Sequence, residues 1–131
     1  HFHAMFVGFM ANMAMAGAYY LYPYFTGRMF SQRLANTHFW LWQIGIFSKV
    51  TLMYYLGFVY FPRWVVDYLP LQQWALPQML LTGAAYLIGL GFIFFVINFI
   101  WSATRGRTAD ADPWALSDDA VTSGATAHPA E

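Results

Sequence analysis

Residues 76–101 read LPQMLLTGAAYLIGLGFIFFVINFIW, a run with no charged residue and no strict alternation of apolar and polar positions. About twenty predominantly apolar residues suffice to cross roughly 30 Å of hydrocarbon. In lipid no water satisfies backbone N–H and C=O groups, so such a run must be a helix or a strand of a closed barrel. Barrel strands alternate lipid-facing and lumen-facing residues, and this run does not. A membrane-spanning helix is the reading that remains, with Pro77 placed in its first turn, where the missing N–H costs nothing.

Two similar stretches precede it. Residues 1–27 contain no Lys, Arg, Asp or Glu, and residues 34–61 carry a single charge, Lys49, with aromatic side chains dense at both ends, as in an interfacial belt. The sequence therefore predicts an all-α membrane protein with three transmembrane helices, at about 1–25, 36–61 and 77–103. A transmembrane region would cover 1–104, with an outer loop at 62–75. Composition agrees: of 131 residues 60% are hydrophobic, 21% aromatic and 9% charged, whereas soluble domains carry about 25% charged residues. The zero net charge and scattered basic residues leave no footprint for nucleic acid. Without cysteine there is no disulfide, zinc-thiolate or iron-sulfur site, and His is the strong neutral metal ligand on offer. The chain starts at His1 and not at Met, so it is read as part of something longer.

Arginine placement orients the helices. Arg28 and Arg33 lie between the first two spans, Arg105 and Arg107 follow the third, and Arg63 in the remaining connection is offset by Asp67. The positive-inside rule puts the first two clusters in the cytoplasm. Residues 105–131, poor in large apolar side chains and rich in Ala, Asp, Ser, Thr and Gly, are expected to form a disordered cytoplasmic tail.

The chemistry has to come from few polar groups. His1 and His3 are two positions apart, which on an α-helix turns them about 200° from each other. Chelation of one metal on one helix face needs a spacing of three or four. Two separate metals flanking the helix, with Phe2 between, satisfy the spacing; a hydrogen-bonded core histidine or an accidental pair satisfies it too. Lys49, near mid-membrane, would cost about 2.5–3.5 kcal/mol if it faced lipid. It should face protein or water, either paired with a carboxylate on another segment or carrying a depressed pKa, or else lining a proton route or water cavity. His38 is expected at the interface, solvated or capping. Ser48, Thr51, Thr82 and Asn98 are assigned to hydrogen bonds between helices, and Met5, Met10, Met13 and Met15 to pliable core.

The whole pattern resembles a family. His1-Phe2-His3, then Ala16-Gly17, Tyr20, Pro23, Thr26-Gly27 and Leu34-Ala35, then His38-Phe39-Trp40-Leu41-Trp42 and Ile44-Gly45, is similar to the tenth and eleventh helices of haem-copper oxidase subunit I. Leu56-Gly57, Pro62-Arg63, Asp67-Tyr68, Asn98, Trp101-Ser102 and Asp112-Pro113-Trp114 resemble its outer arginine loop, twelfth helix and the opening of its tail. The resemblance implies that the three spans belong to a twelve-helix bundle. It implies that His1 is the axial ligand of a high-spin haem, that His3 is an axial ligand of a low-spin haem, and that Phe2 lies between the haems.

Arg63 would pair with a haem propionate, as a guanidinium matches a carboxylate bidentately. Family members usually have a second arginine where Trp64 stands, so Trp64 is at most a propionate contact through its one N–H. Asp67 and Tyr68 would orient Arg63. Copper would be bound by residues outside this chain, as would the other axial His, the cross-linked Tyr and the proton-channel residues.

The implied function is reduction of dioxygen to water coupled to proton translocation. The implied partners are the remainder of subunit I, subunit II and other oxidase subunits, the lipid bilayer, and an electron donor that is cytochrome c, quinol or a copper protein. The divergent loop and tail point to the cytoplasmic membrane of a bacterium or archaeon over the mitochondrial inner membrane. Two other readings predict different things: a nitric oxide reductase-type haem-copper enzyme would differ in metal content, and a cofactor-free accessory subunit would leave His1 and His3 without haem.

Overall fold

A computed structural model describes residues 2–62 and 72–115. It is all-helical. A π-helical segment, Ala4–Met10, continues directly into α1 (Ala11–Thr26); α2 (Gln32–Phe58) runs back antiparallel to it, and α3 (Gln72–Arg105) returns alongside α2. Two of these, Ala4–Thr26 and Gln73–Arg105, are long and apolar enough to cross a membrane by length and composition. The middle helix is as long but is diluted by Gln43, Lys49 and a high content of Trp and Tyr.

The closest packing is between α2 and α3. Two glycines permit it. A Cβ at Gly45 would stand 2.7 Å from Ile88 Cγ1, 3.0 Å from Ile88 N and 3.1 Å from Ala84 O, and one at Gly91 would stand 3.1 Å from Trp42 N. Small residues let membrane helices approach until backbone meets backbone, which compensates for the lack of a hydrophobic drive between helices in lipid. Helix α1 is held further off by large rings: Tyr22 meets Phe99 at 4.5 Å between centroids, and Tyr19 meets Phe95 and Phe99 at 5.4 and 5.3 Å.

The ends are set by local chemistry. Gly27 terminates α1 in the left-handed region (φ 64°), its N–H bonded to Pro23 O at 2.8 Å. The end of α2 is a Schellman turn with no glycine at its left-handed position. Phe61 N donates to Leu56 O at 2.9 Å and Tyr60 N to Gly57 O at 3.3 Å, with Tyr60 at φ 56°. Trp74 Nε1 donates to Val59 O at 3.2 Å. That bond anchors a turn of α3 ahead of the apolar run, so Gln72 is already helical and Pro77 sits inside the helix, contrary to the first-turn placement that the apolar run suggests. Membrane helices tolerate such a proline where neighbouring groups take up the freed carbonyl.

Residues 106–115 also depart from expectation, because they fold back onto the helices. Met29 N donates to Arg107 O at 2.7 Å and Ala109 N to Gly27 O at 2.8 Å, making an antiparallel bridge between Arg28 and Thr108. Trp114 stacks on Tyr20 at 5.8 Å and donates through Nε1 to Tyr20 O at 3.2 Å. An aromatic anchor thus orders the start of a segment that composition alone marks as polar tail; residues 116–131 lie outside the described part. Gly45→Ala is expected to lower the stability of the assembled subunit in detergent by about 1–3 kcal/mol. Adding Ile88→Ala should restore it only in part, because the conflicts with Ile88 N and Ala84 O are backbone conflicts; thermal melting of the two variants measures this.

Candidate functional site

The histidine expected to face a metal, His3, stands at the entry to the π-helical segment, in helical conformation (φ −65°, ψ −35°). Directly after it the backbone switches to the wider i→i+5 pairing, and at the far end the Ala11 N–H still bonds Phe6 O. Such turns are rare and concentrate at functional sites. The His3 side chain is half-buried and makes no hydrogen bond among the described residues; the exposed Phe2 ring meets it edge-on at 5.7 Å and stacks on Phe6 at 5.4 Å. A neutral imidazole with a free ring nitrogen against apolar rings is the donor chemistry that an axial haem ligand requires. His3 therefore fits the role. His1, Arg63, Trp64, Asp67, Tyr68 and His128 lie outside the described residues.

Below His3 a polar ladder joins the π-helical segment and α1 to α2. The Asn12 side-chain amide donates to Gly8 O, and Gln43 Nε2 donates to Asn12 Oδ1 at 3.1 Å. Further along, the Tyr19 hydroxyl and His38 Nδ1 share a hydrogen bond of 3.1 Å. His38 is 4% exposed, enclosed by Trp42 and Phe95 rings. This corrects the interfacial role expected for it: the face of α2 that carries His38 turns inward onto α1 and α3. His38 Nε2 and Trp42 Nε1 are both buried without a hydrogen-bond partner among the described residues. Asn12, Tyr19, His38 and Gln43 line an open groove of about 420 Å³ between α1 and α2. Sequence reasoning does not single out Asn12, Tyr19 or Gln43, although amides inside apolar spans are themselves a signal that could have found two of them.

Of the residues assigned to hydrogen bonds between helices, Asn98 reaches Ser31 outside its own helix, whereas Thr82 bonds Gln78 O within α3. The methionines differ from expectation as well: Met5, Met10 and Met13 are exposed on this chain. Lys49 is half-buried, and no described carboxylate pairs with it; the described acids, Asp110 and Asp112, follow α3 at the opposite end of the bundle from His3.

The family model for Cytochrome C and Quinol oxidase polypeptide I matches residues 1–87. The chain belongs to that family. It is 35% identical over 119 residues to "Cytochrome c oxidase polypeptide 1" of Halobacterium salinarum, an alignment covering 90% of this chain and 20% of that protein. It is 32% identical over 114 residues to "Cytochrome c oxidase subunit 1" of Bacillus sp. strain PS3, covering 87% of this chain and 18% of that one. With the protein of the same name from Thermostichus vulcanus it shares 35% identity over 114 residues, covering 87% and 20%. The chain thus spans about a fifth of the length of the curated relatives it matches. No solved structure matches the chain.

For this member of the oxidase family, Tyr19→Phe should cost about 1–3 kcal/mol by leaving His38 with neither ring nitrogen bonded. His38→Phe added to it should recover part of the loss, since removing both partners removes the unmet hydrogen bond. Thermal unfolding of the assembled subunit reads both.

Proposed function

We propose that this chain is the haem-ligating C-terminal portion of a respiratory terminal oxidase that reduces dioxygen to water and couples the reaction to proton translocation. One observation carries the reading: a His-Phe-His sequence leads the first helix of a chain that belongs to oxidase polypeptide I and matches its family model from residue 1. In this reading His3 ligates a low-spin haem iron and His1 a high-spin one. Bound haem would supply electron transfer and oxygen chemistry, tuned by ligand identity, burial and nearby charge.

The residues of this chain hold and orient. His3 presents an imidazole from a helix whose position is set by the Asn12–Gln43 bond and by the Gly8 contact with α2. Phe2 covers the imidazole edge. Arg63 pairs with a propionate, with Trp64 beside it in place of a second arginine. Copper is bound outside this chain, by the remainder of subunit I, and subunit II and the other oxidase subunits complete the complex. Electrons come from cytochrome c, quinol or a copper protein. Among the described residues the arginines, Arg28, Arg33, Arg105 and Arg107, fall at one end of the bundle, where Arg28 Nη1 donates to Gly106 O at 2.9 Å. That clustering supports a cytoplasmic placement of this end, and the archaeal and bacterial relatives support a bacterial or archaeal membrane.

The test is the reduced-minus-oxidised spectrum of the intact complex with His3→Ala. The low-spin bands should be lost while carbon monoxide binding at the high-spin haem is largely kept. Unchanged spectra in an assembled variant would return His3 to a packing role.

A further inference from the structure

Three features have no part in the haem-ligating role: the groove lined by Tyr19 and His38, the ordered Trp114 turn, and Lys49. Lys49 carries an inference furthest. Its position follows from the register of two antiparallel helices. A Cβ at Gly8 would lie 3.9 Å from Ile46 Cγ2, and Asn12 bonds Gln43, so moving up α2 from Ile46 means moving toward His3 on the neighbouring helix. Lys49 follows Ile46 by three positions and Gly45 by four, which keeps it on the faces of α2 that meet the π-helical segment and α3. That step raises it about 4.5 Å along the axis, less than the distance from Gly8 to His3. A four-carbon lysine stem is long enough to span the remainder. The register thus places Lys49 on the His3 side of the contact between α2 and the π-helical segment. No described carboxylate neutralises it, as Asp110 and Asp112 are at the other end of the bundle.

We propose that Lys49 is a potential-setting residue, a fixed positive charge placed beside the His3 ligand that holds up the reduction potential of the low-spin haem. The inference rests on the assignment of His3 to that haem. Reduction adds one electron to the iron, and a neighbouring positive charge favours the more negative product. The interaction falls off as 1/(εr) and is strengthened by a membrane interior poor in water. Charge and hydrogen bonding around the ligands are the levers by which a protein tunes haem iron. A charge at this depth also has to be justified against its cost of insertion, and a haem-facing position does so where a lipid-facing one would not.

The experiment is an anaerobic spectroelectrochemical titration of the intact oxidase, following the low-spin band. Lys49→Met should lower the midpoint potential of that band, and Lys49→Arg, which keeps the charge, should hold it near the wild-type value. Lys49→Gln serves the same purpose as the methionine variant if the latter fails to assemble. An unchanged midpoint in the assembled neutral variants overturns the proposal, as it would if Lys49 were neutralised by a carboxylate elsewhere in the subunit; a raised midpoint overturns it equally. His3→Ala separates the two levels. If that variant keeps the low-spin band, the ligand assignment fails; if it loses the band while Lys49→Met leaves the midpoint unmoved, the assignment stands and the role of Lys49 fails.

Discussion

Asn98 holds the ends of this helical unit together. Its side chain is fully buried: Oδ1 accepts from Ser31 N at 3.0 Å and from Ser102 Oγ at 3.0 Å, and Nδ2 donates to Ser31 O at 3.0 Å. Ser31 N–H is shared with Ser102 Oγ at 3.1 Å. One amide on α3 therefore bonds both backbone groups of the residue that precedes α2, whose own side chain makes no cap and whose carbonyl also accepts from Ala35 N at 3.0 Å. A buried polar group left unmet is costly, and Asn98 and Ser102 are both buried, so the turn between α1 and α2 is pinned to α3. The Gly27 to Ala109 and Met29 to Arg107 bonds extend the same tie.

With that end fixed, the rest of the packing follows. Helices α2 and α3 meet backbone to backbone through Gly45 and Gly91, and α1 leans on them through Tyr19 and Tyr22. The Tyr22 hydroxyl bonds Phe99 O at 2.8 Å. At the other end the Asn12–Gln43 bond, and packing close enough that a Cβ at Gly8 would touch Ile46, carry the π-helical segment and, with it, His3. The position of a ligand near the start of the chain is thus transmitted through a row of specific contacts with α2. Large apolar side chains such as Phe9, Phe47, Phe58 and Tyr86 face outward from this unit, as suits a chain that spans about a fifth of its relatives.

Helix number and identity were legible in the sequence because charge-free runs of membrane length have few other structures open to them. The boundaries were less so. Pro77 reads as a first-turn residue, and the Trp74 to Val59 bond that starts α3 earlier is a contact between segments that no local pattern announces. The π-helical turn after His3 has no composition signal. His38 looks interfacial from its place near the end of an apolar run; its burial depends on which face of α2 turns inward, and the even spread of apolar residues around that helix hides the face. Trp114 orders a stretch whose average composition points the other way. For the site, residue spacing alone leaves a two-metal reading and a packing reading open, and it is the family resemblance that leads to proposing the first. Tyr19, Asn12 and Gln43 emerge only when helices are paired.

The reading proposed for the His-Phe-His sequence is that His1 and His3 each hold a separate iron. An anomalous difference map of the intact oxidase at the iron edge tests it most directly. The account predicts two iron peaks on different sides of the helix, one within coordination distance of His1 and the other of His3; a single iron shared by both histidines, or none within reach of either, would contradict it.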